Sequence, residues 1–388
     1  MKKFETNEGL SLRSFFMGGF ECSTHKDRHG RRLDLIASTR HDEFAEADYQ
    51  RLADQNILTG RDGARWHLIE VSPYRYNFSS LESQIAAANK TGIQVIWDYF
   101  HYGYPDDLDI YSPQFIERFS AFCRVLTEYL LDQLDDTELI VCPVNEISFF
   151  SWIAGQVGVF HPASRRRGNA LKLQLVRAAL AAVDSIRSVS VDIRWMFCDP
   201  AIHVVPQSDS PQARKAAEVY RSSQFDAFDM IIGKRAPELG GDPSYLDIVG
   251  LNYYFHNQWR HVSRRKIPLG HPQYRPFEAI LREYSERYRR PLIVAETGIE
   301  DDERPEWLRY VCEQSRIALA AGVPLAGICL YPIADHPGWA DDRHCPNGLW
   351  GYADDAGDRP IYQPLADELR EQTRHLASPV PRPEHLRV

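Results

Sequence analysis

The chain has 388 residues, of which 44% are hydrophobic and 26% charged, as expected for a globular protein with a large core. Its formal net charge of −9 argues against a nucleic-acid backbone or an anionic membrane surface as partner, because both require a basic face. The N-terminus lacks the hydrophobic stretch of a secretory signal, and no segment approaches the ~18 apolar residues of a membrane span.

The seven cysteines are scattered along the chain and include no Cys-x-x-Cys pair. Such a set predicts buried free thiols in a reducing compartment, rather than a disulfide framework or a zinc site. The cytoplasm is therefore the expected location, and we expect neither a metal nor a cofactor.

Short apolar segments alternate with longer amphipathic segments along the chain. The segments that predict strands are Phe15–Cys22, Ile57–Trp66, Ile93–Asp98, Leu139–Asn145, Ile193–Cys198, Asp247–Tyr254, Leu292–Glu296 and Leu325–Tyr331. The segments that predict helices are 42–55, 79–90, 113–134, 169–187, 211–231, 276–288, 304–321 and 361–375.

Eight strand–helix units in series predict a protein of the α/β class, a single (β/α)8 TIM barrel over residues 1–375. An open doubly wound sheet is the alternative, but it would usually carry a Gly-x-Gly-x-x-Gly turn, which the sequence lacks. Residues 376–388 contain three prolines and are expected to form a C-terminal tail. Four long segments follow strands and should meet on the carboxyl face of the barrel, where active sites form: 99–112, 147–168, 255–275 and 332–360.

Two glutamates stand at predicted strand ends. Glu146 follows the fourth strand and Glu296 ends the seventh. A carboxylate at the end of a buried strand is costly unless it is paired or used. Cleavage of a glycosidic bond requires two such groups, one a proton donor and the other an ionised nucleophile. The alternative is that each glutamate caps a neighbouring helix or pairs with an arginine.

The sequence resembles the family 1 glycoside hydrolases, a family of barrels with the acid/base on strand four and the nucleophile on strand seven. The resemblance extends from about residue 15 to 370. It rests on three stretches. The acid/base motif lies at Val144–Ile147 with its glycine-containing loop at Ser151–Pro162, and the nucleophile motif lies at Ala295–Gly298. The sugar loop after strand eight lies at Asp335–Trp339, with its continuation at Asn347–Tyr352.

The resemblance implies roles for further catalytic residues. Arg65, at the end of strand two, would hold Glu296 ionised, because a nearby opposite charge favours the carboxylate. Asn145 would bind the sugar 2-hydroxyl, and Tyr254 would contact the nucleophile. The alternatives are a structural ion pair for Arg65, a strand-ending amide for Asn145 and aromatic packing for Tyr254.

The resemblance also implies a substrate-binding set: His101, Asn252, Tyr331, Trp339 and Glu21. His101 matches a histidine that binds sugar hydroxyls, Asn252 belongs to the strand-six motif, and the Trp339 ring would stack on the sugar. Tyr331 stands where the family has a tryptophan, and Glu21 lies in a shortened strand-one motif. Packed aromatic and histidine side chains are the alternative.

Position 338 is Gly where the family has a glutamate that binds the outer hydroxyls of glucose or galactose. The residues that read the sugar thus differ from the family's, so glucosidase specificity is not carried over. The glycone, the aglycone and the oligomeric state are not indicated by the sequence.

The resemblance implies a retaining β-glycoside hydrolase with a carbohydrate substrate, Glu146 as acid/base and Glu296 as nucleophile. A transglycosidase that uses the same covalent intermediate and a non-catalytic sugar-binding barrel remain alternatives. A metal-dependent barrel hydrolase is a third, because several histidines lie near strand ends, but strand one lacks the His-x-His such enzymes usually need.

Overall fold

The computed structural model describes residues 4–5, 10–135 and 138–377. Eight parallel strands form its centre: β1 (Phe16–Gly19), β2 (Thr59–Gly63), β3 (Gln94–Asp98), β4 (Ile140–Cys142), β5 (Arg194–Pro200), β6 (Ile248–Asn252), β7 (Leu292–Thr297) and β8 (Leu325–Leu330).

The strands pair in chain order and β8 closes onto β1, through Ile328 beside Phe16. This closure confirms the predicted (β/α)8 barrel and excludes the open sheet. Within the described residues, four two-stranded sheets lie outside the barrel. They are formed by Phe4–Glu5 with Ser11–Leu12, Glu70–Ser72 with Arg75–Tyr76, His203–Val205 with Gln258–Arg260, and His336–Pro337 with His344–Cys345.

One long helix follows each strand, as the alternating pattern predicts. These helices are α1 (His41–Asp54), α2 (Glu82–Thr91), α3 (Pro113–Gln133), α4 (Gly168–Val189), α5 (Pro211–Ser222), α6 (Phe277–Tyr288), α7 (Arg304–Ala320) and α8 (Gln363–Ala377). Short helical turns occupy the connections at Leu35–Ser38, Trp66–Ile69, Ile147–Phe150, Ser151–Val157, Ser223–Phe225, Asp226–Ile231, Pro237–Leu239, Pro243–Tyr245 and Asp301–Glu303.

The C-terminal boundary differs slightly from the prediction. Helix α8 continues to Ala377, so the first two residues of the expected tail are helical. The rest of that tail, 378–388, lies outside the described residues.

Most strands are shorter than predicted, and the difference falls mainly at their carboxyl ends. The apolar segment that ends in Asn145 forms a strand only to Cys142, and the segment that ends in Trp66 forms one only to Gly63. Beyond these points the continuous strand pairing ends, and Asn145 makes a single parallel bridge to Cys198. Three of the four long segments meet at this end of the barrel, since Tyr102, Phe160 and Trp339 contact one another.

Two layers of apolar side chains fill the molecule, one inside the barrel and one between strands and helices. The interior layer takes alternate residues of the strands, because successive side chains of a strand point to opposite faces. It includes Met17, Ile96, Ile140, Met196, Ile248 and Ile293.

Strand β2 carries charged side chains on both of its faces. A Cβ on Gly60 would lie 3.5 Å from Leu52 of α1, so the even-numbered residues of β2 face the helices. Asp62 is therefore directed toward α1, and Arg61 toward the barrel interior. Both side chains are buried, and each therefore requires compensating partners.

His41 of α1 supplies the compensation for Asp62. Its ring lies between two carboxylates, 2.8 Å from Asp48 through Nδ1 and 2.8 Å from Asp62 through Nε2. Burial opposes protonation of the ring, but the two carboxylates outweigh it and raise the pKa of His41 to about 9. Arg359, near the start of α8, donates to Asp48 as well, so this network connects the first and last parts of the barrel.

All seven cysteines are buried and free, as the sequence predicts. Among the described residues, no helix is both long and apolar enough to cross a membrane.

We expect His41→Leu to destabilise the protein by about 3–5 kcal/mol, because it leaves two buried carboxylates without their shared cation. A His gaining partners on folding stabilises fully below its unfolded pKa of ~6.5, and that stability is lost as pH rises through the folded pKa of about 9. Urea unfolding should show that the free energy of unfolding of the wild type falls across this pH range. The free energy of unfolding of His41→Leu should not show this fall. His29→Leu, at an exposed position, is the control. Equal stability of the two variants would contradict the prediction.

Candidate functional site

Glu146 lies just beyond β4, held in place by the strands on either side. Its backbone N–H donates to Cys198 of β5, and that of Asn145 donates to Phe100, which follows β3. Glu146 adopts a left-handed backbone conformation, with φ 48°, which is uncommon for a residue with a side chain. This turn places its carboxyl group over the barrel mouth, where it is only 6% exposed.

Glu296 lies within β7, and its carboxyl group has a charged partner. Arg61 Nη1 donates to Oε1 at 2.9 Å, and the Tyr254 hydroxyl donates to Oε2 at 2.8 Å. The residue is 5% exposed. The predicted contact between Tyr254 and the strand-seven glutamate is thus present.

The carboxyl group of Glu146 has uncharged partners instead. Asn252 Nδ2 donates to Oε1 at 2.8 Å, and the Tyr102 hydroxyl donates to Oε2. Among the described residues, no cation pairs with Glu146. The two glutamates therefore differ in kind: one faces a guanidinium and the other faces neutral donors.

Both glutamates hold their proton more tightly than a carboxyl group in water. Burial raises the pKa of Glu296 to about 7, against the attraction of Arg61, and the neighbouring Glu146 adds to the rise. Burial likewise raises the pKa of Glu146 to about 7, against its hydrogen bonds from Tyr102 and Asn252. The two groups interact, so near neutral pH the pair can hold one proton between its members.

The arginine that pairs with Glu296 is Arg61, and the expectation for Arg65 is wrong. Strand β2 ends at Gly63, and Arg65 precedes the short helix that begins at Trp66. Its guanidinium turns away from the barrel axis, to Asp42 at 2.7 Å and Asp34 at 3.4 Å. A position within the strand is required to reach Glu296, because only there does alternation direct the side chain inward.

Arg61 also organises the groups between the two glutamates. Its Nε and Nη2 donate to the two carboxylate oxygens of Asp98, at 3.0 and 2.8 Å, and Nη2 also donates to Asn145 Oδ1 at 2.8 Å. Asn145 Nδ2 in turn lies 3.0 Å from His101 Nε2 and 3.1 Å from the Tyr102 hydroxyl. Asn145 thus connects the surroundings of both glutamates, and its binding to a sugar hydroxyl stays a prediction.

Cys22, Asp98 and His101 form a buried cluster of potential metal ligands. The Cys22 Sγ lies 3.1 Å from His101 Nδ1, which lies 2.9 Å from Asp98 Oδ2. Both oxygens of Asp98, however, already accept from Arg61, a permanent cation that would repel a metal ion. The cluster is better described as a hydrogen-bonded chain that orients His101.

The other predicted sugar-binding residues surround this network. The Tyr331 ring covers the Arg61 guanidinium at 5.2 Å and lies parallel to His101, 6.1 Å away. Glu21 is buried, and its Oε1 accepts from the Ser23 backbone. Asn252 contacts Glu146 directly, as described above.

Trp339 covers the side of the site near Glu146, in edge contact with Tyr102 at 6.1 Å. At Gly338, beside it, a Cβ would lie 2.3 Å from Asp341 Oδ1, the end of an exposed side chain that would have to move to admit the family's glutamate.

Tyr102 was not among the residues predicted for the site. It directly follows His101 and has a positive φ of 69°, which turns its ring toward Glu146. Its position next to His101, a predicted binding residue, was a signal that it could belong to the site. Nothing in the sequence, however, shows that the backbone turn at Tyr102 directs its side chain toward Glu146.

Comparison with known proteins begins with sequence. No family model matches the chain. A β-galactosidase from Sulfolobus acidocaldarius is 27% identical over 300 residues, which cover 68% of this chain and 58% of the galactosidase. The matched region is thus little more than half of that relative's length.

Solved structures match over nearly the whole chain. The β-glucosidase from Thermotoga maritima, a family 1 enzyme, superposes with a TM-score of 0.72 at 17% identity, over 92% of this chain and 98% of that one. Its complex with glucoimidazole gives 0.74 at the same identity and coverage. The AHE enzyme from Alicyclobacillus herbarius gives 0.76 at 17% identity, over 94% and 98%. The chain therefore has the barrel fold of the family 1 β-glucosidases.

We expect Tyr254→Phe to raise the pKa of Glu296, because it removes a hydrogen bond to the ionised carboxylate. A bond to a charged group contributes about 1.5–3 kcal/mol, so the acid dissociation constant should fall about tenfold or more. Carbon-13 NMR titration of labelled glutamate carboxyl groups measures it. Tyr253→Phe is the matched control, because that hydroxyl pairs with Tyr274 instead. The same titration curve in all three proteins would refute the assigned contact.

Proposed function

We propose that this chain hydrolyses a β-linked glycoside with retention of configuration, using Glu296 as nucleophile and Glu146 as acid/base. The observation that carries the proposal is the unequal environment of two buried glutamates at the carboxyl ends of β7 and β4. A carboxyl group that faces a guanidinium is favoured in the ionised role, and one whose partners are neutral is favoured in the protonated role. The matched β-galactosidase and β-glucosidases carry out chemistry of the same class.

Glu296 fits the nucleophile because its partners favour the ionised form. Arg61 supplies a positive charge at Oε1, and the Tyr254 hydroxyl donates to Oε2. When Oε2 bonds to the anomeric carbon, its negative charge is lost. The hydrogen bond that Tyr254 donates to Oε2 then weakens. Arg61 stays paired with Asp98 throughout, so the guanidinium remains fixed while Glu296 forms and breaks its bond.

Glu146 fits the acid because burial raises its pKa by more than the nearby Arg61 lowers it. Its partners Tyr102 and Asn252 are neutral and orient the carboxyl group. The nearby Asp199, itself buried, adds to the raised pKa of Glu146. When Glu296 is ionised, electrostatic repulsion keeps the proton on Glu146, which is the distribution that the first step requires.

The reaction then proceeds in two displacements. In the first, a Glu296 oxygen bonds to the anomeric carbon, the glycosidic C–O bond breaks, and the Glu146 proton passes to the leaving oxygen. In the second, the Glu146 carboxylate removes a proton from water, and the water oxygen displaces Glu296 from the anomeric carbon. The first inversion is reversed by the second, so the product keeps the β configuration.

We expect Glu296→Ala to lower turnover of every aryl β-glycoside by about 10⁴-fold or more, because no group remains to form the covalent intermediate. Glu300→Ala, four residues further along the chain and paired with Arg343, is the control and should keep its activity. Full activity in Glu296→Ala would exclude this site.

We expect Glu146→Ala to form the glycosyl-enzyme from a dinitrophenyl β-glycoside, whose leaving group needs no proton, and then to stall for lack of a base. Azide should enter the vacated space and release a β-glycosyl azide, identified by NMR of the product. For glycosides with poor leaving groups the loss should be about 10²–10⁴-fold. Release of the α-azide would refute retention.

We expect kcat/KM to follow a bell-shaped pH profile centred near pH 7. Activity falls at low pH as Glu296 becomes protonated, and at high pH as Glu146 loses its proton; both have a pKa of about 7. A dinitrophenyl glycoside needs no proton from Glu146, so its profile should lack the alkaline limb. With this substrate, Glu146→Gln removes a like charge beside Glu296 and should move the acidic limb to lower pH. An unchanged acidic limb in this variant would contradict the coupling of the two glutamates.

A further inference from the structure

We propose that Asp199 is a positioning residue for Glu146, acting through the backbone of Ser148 and through its own negative charge. The inference rests on the proposed function and adds a residue that prepares the acid/base. Asp199 lies near the carboxyl end of β5, next to Cys198, whose carbonyl accepts from the Glu146 backbone N–H at 2.9 Å.

Asp199 stands where the strand pattern favours an apolar residue. Trp195 and Phe197 share its face of β5 and belong to the apolar layer between strands and helices. Asp199 is only 2% exposed in this layer. A buried carboxylate is costly unless its contacts compensate it, so the partners of Asp199 indicate its role.

The hydrogen bonds of Asp199 are with the turn that carries Glu146. Its Oδ1 and Oδ2 accept from the Ser148 backbone N–H, at 2.9 and 3.2 Å. Glu146 directly precedes a short helix, and a residue at that position commonly supplies such a contact from its own side chain. The Glu146 carboxyl group accepts from Tyr102 and Asn252 instead. Asp199 thus supplies, from the neighbouring strand, the capping contact that Glu146 does not make.

This contact matters because the backbone at Glu146 is strained. Its φ of 48° and ψ of 60° are left-handed, and a residue with a side chain keeps such a conformation only where its surroundings fix it. The Cys198 carbonyl holds the N–H of Glu146, and the Asp199 carboxylate holds the N–H two residues further along. Both anchors come from consecutive residues of β5, so the position of the acid/base depends on the end of this strand.

The negative charge of Asp199 has a second effect on Glu146. Burial raises the pKa of Asp199 to about 6, against the hydrogen bonds from Ser148 and the attraction of Lys172 in α4, so the group is mostly ionised at pH 7. Beyond the effect of burial, this charge raises the pKa of Glu146 further. Lys172 offsets the charge only in part, because its ammonium group also pairs with Asp226 at 3.6 Å.

The other titratable groups around this pair do not carry the same charge. Tyr284 of α6 faces Asp199, but burial raises its pKa well above the usual value, so it stays neutral. The charged or titratable groups that act on Glu146 are Tyr102, Arg61, Glu296, Tyr254 and Asp199. Of these groups, Asp199 is the carboxylate that can be neutralised without removing the nucleophile.

Two substitutions separate the two effects. Asp199→Leu removes the acceptor oxygens and the charge and suits the apolar surroundings, whereas Asp199→Asn keeps one acceptor oxygen and removes only the charge. Each variant is assayed with the phenyl β-glycoside of the sugar that the wild type hydrolyses fastest, and with its dinitrophenyl counterpart. The first leaving group needs a proton and the second does not, so a merely structural role would lower kcat/KM for both substrates alike.

We expect Asp199→Leu to lower kcat for the phenyl glycoside by about 10²-fold with KM little changed, because a displaced Glu146 transfers its proton poorly. For the dinitrophenyl glycoside, kcat/KM should stay close to that of the wild type. Asp199→Asn should recover most of the loss at pH 6, because it still holds the Ser148 N–H. The Asn variant also carries the test if the Leu variant does not fold.

In Asp199→Asn the pKa of Glu146 should fall by about one unit, because a like charge is removed. The alkaline limb of kcat/KM for the phenyl glycoside should move to lower pH by the same amount. Carbon-13 NMR titration of the Glu146 carboxyl group measures the shift without any turnover. Asp247→Asn is the matched control and should leave both unchanged. Asp247 also accepts a backbone N–H of β5, from Trp195 at 3.2 Å, but it pairs with Arg194 at the other end of that strand.

Equal losses for the two glycosides in Asp199→Leu would overturn the inference, as would a wild-type alkaline limb and a wild-type Glu146 titration in Asp199→Asn. A lower Glu146 pKa in Asp199→Asn, in a protein that hydrolyses no β-glycoside, would refute the proposed reaction and keep the inference. Hydrolysis by the wild type, with Glu146 titrating identically in Asp199→Asn, would do the reverse.

Discussion

The buried guanidinium of Arg61 is the constraint on which the site depends. A charge at 1% exposure is tolerated only when it is fully compensated, and here Asp98, Glu296 and Asn145 supply the compensation from β3, β7 and the end of β4. Because these partners come from strands far apart in the sequence, the ion pairs form only when the barrel has closed. The charge that favours the ionised form of Glu296 is thus also a condition on the fold.

The same strand carries a second buried charge on its other face. Asp62 is compensated by His41 and Tyr49 of α1, so β2 is held on both sides by directional contacts. This arrangement fixes the register in which Arg61 reaches the axis, because a shift by one residue would exchange the two faces. The geometry around Glu296 therefore rests partly on a network that lies outside the barrel.

The sequence alone determined the architecture and the two central glutamates. Alternating apolar and amphipathic segments specify eight strand–helix units, because each period buries one face of its element, and eight such units favour a closed barrel. Glu146 and Glu296 were recognisable because a carboxyl group is expensive at the end of a buried strand. Tyr254 was recognisable from its motif, since it lies just two residues beyond the end of β6 and its contact is with the neighbouring strand.

Only the tertiary structure decided which side chains reach those glutamates. Arg61 and Arg65 are four residues apart, so in one continuous strand both side chains would point to the same face. The choice between them depends on the strand ending at Gly63, which the apolar pattern does not mark. Tyr102 likewise lies in an irregular segment, where no period relates sequence position to side-chain direction. The direction there is set by contacts with distant residues such as Trp339, so it exists only in the folded chain.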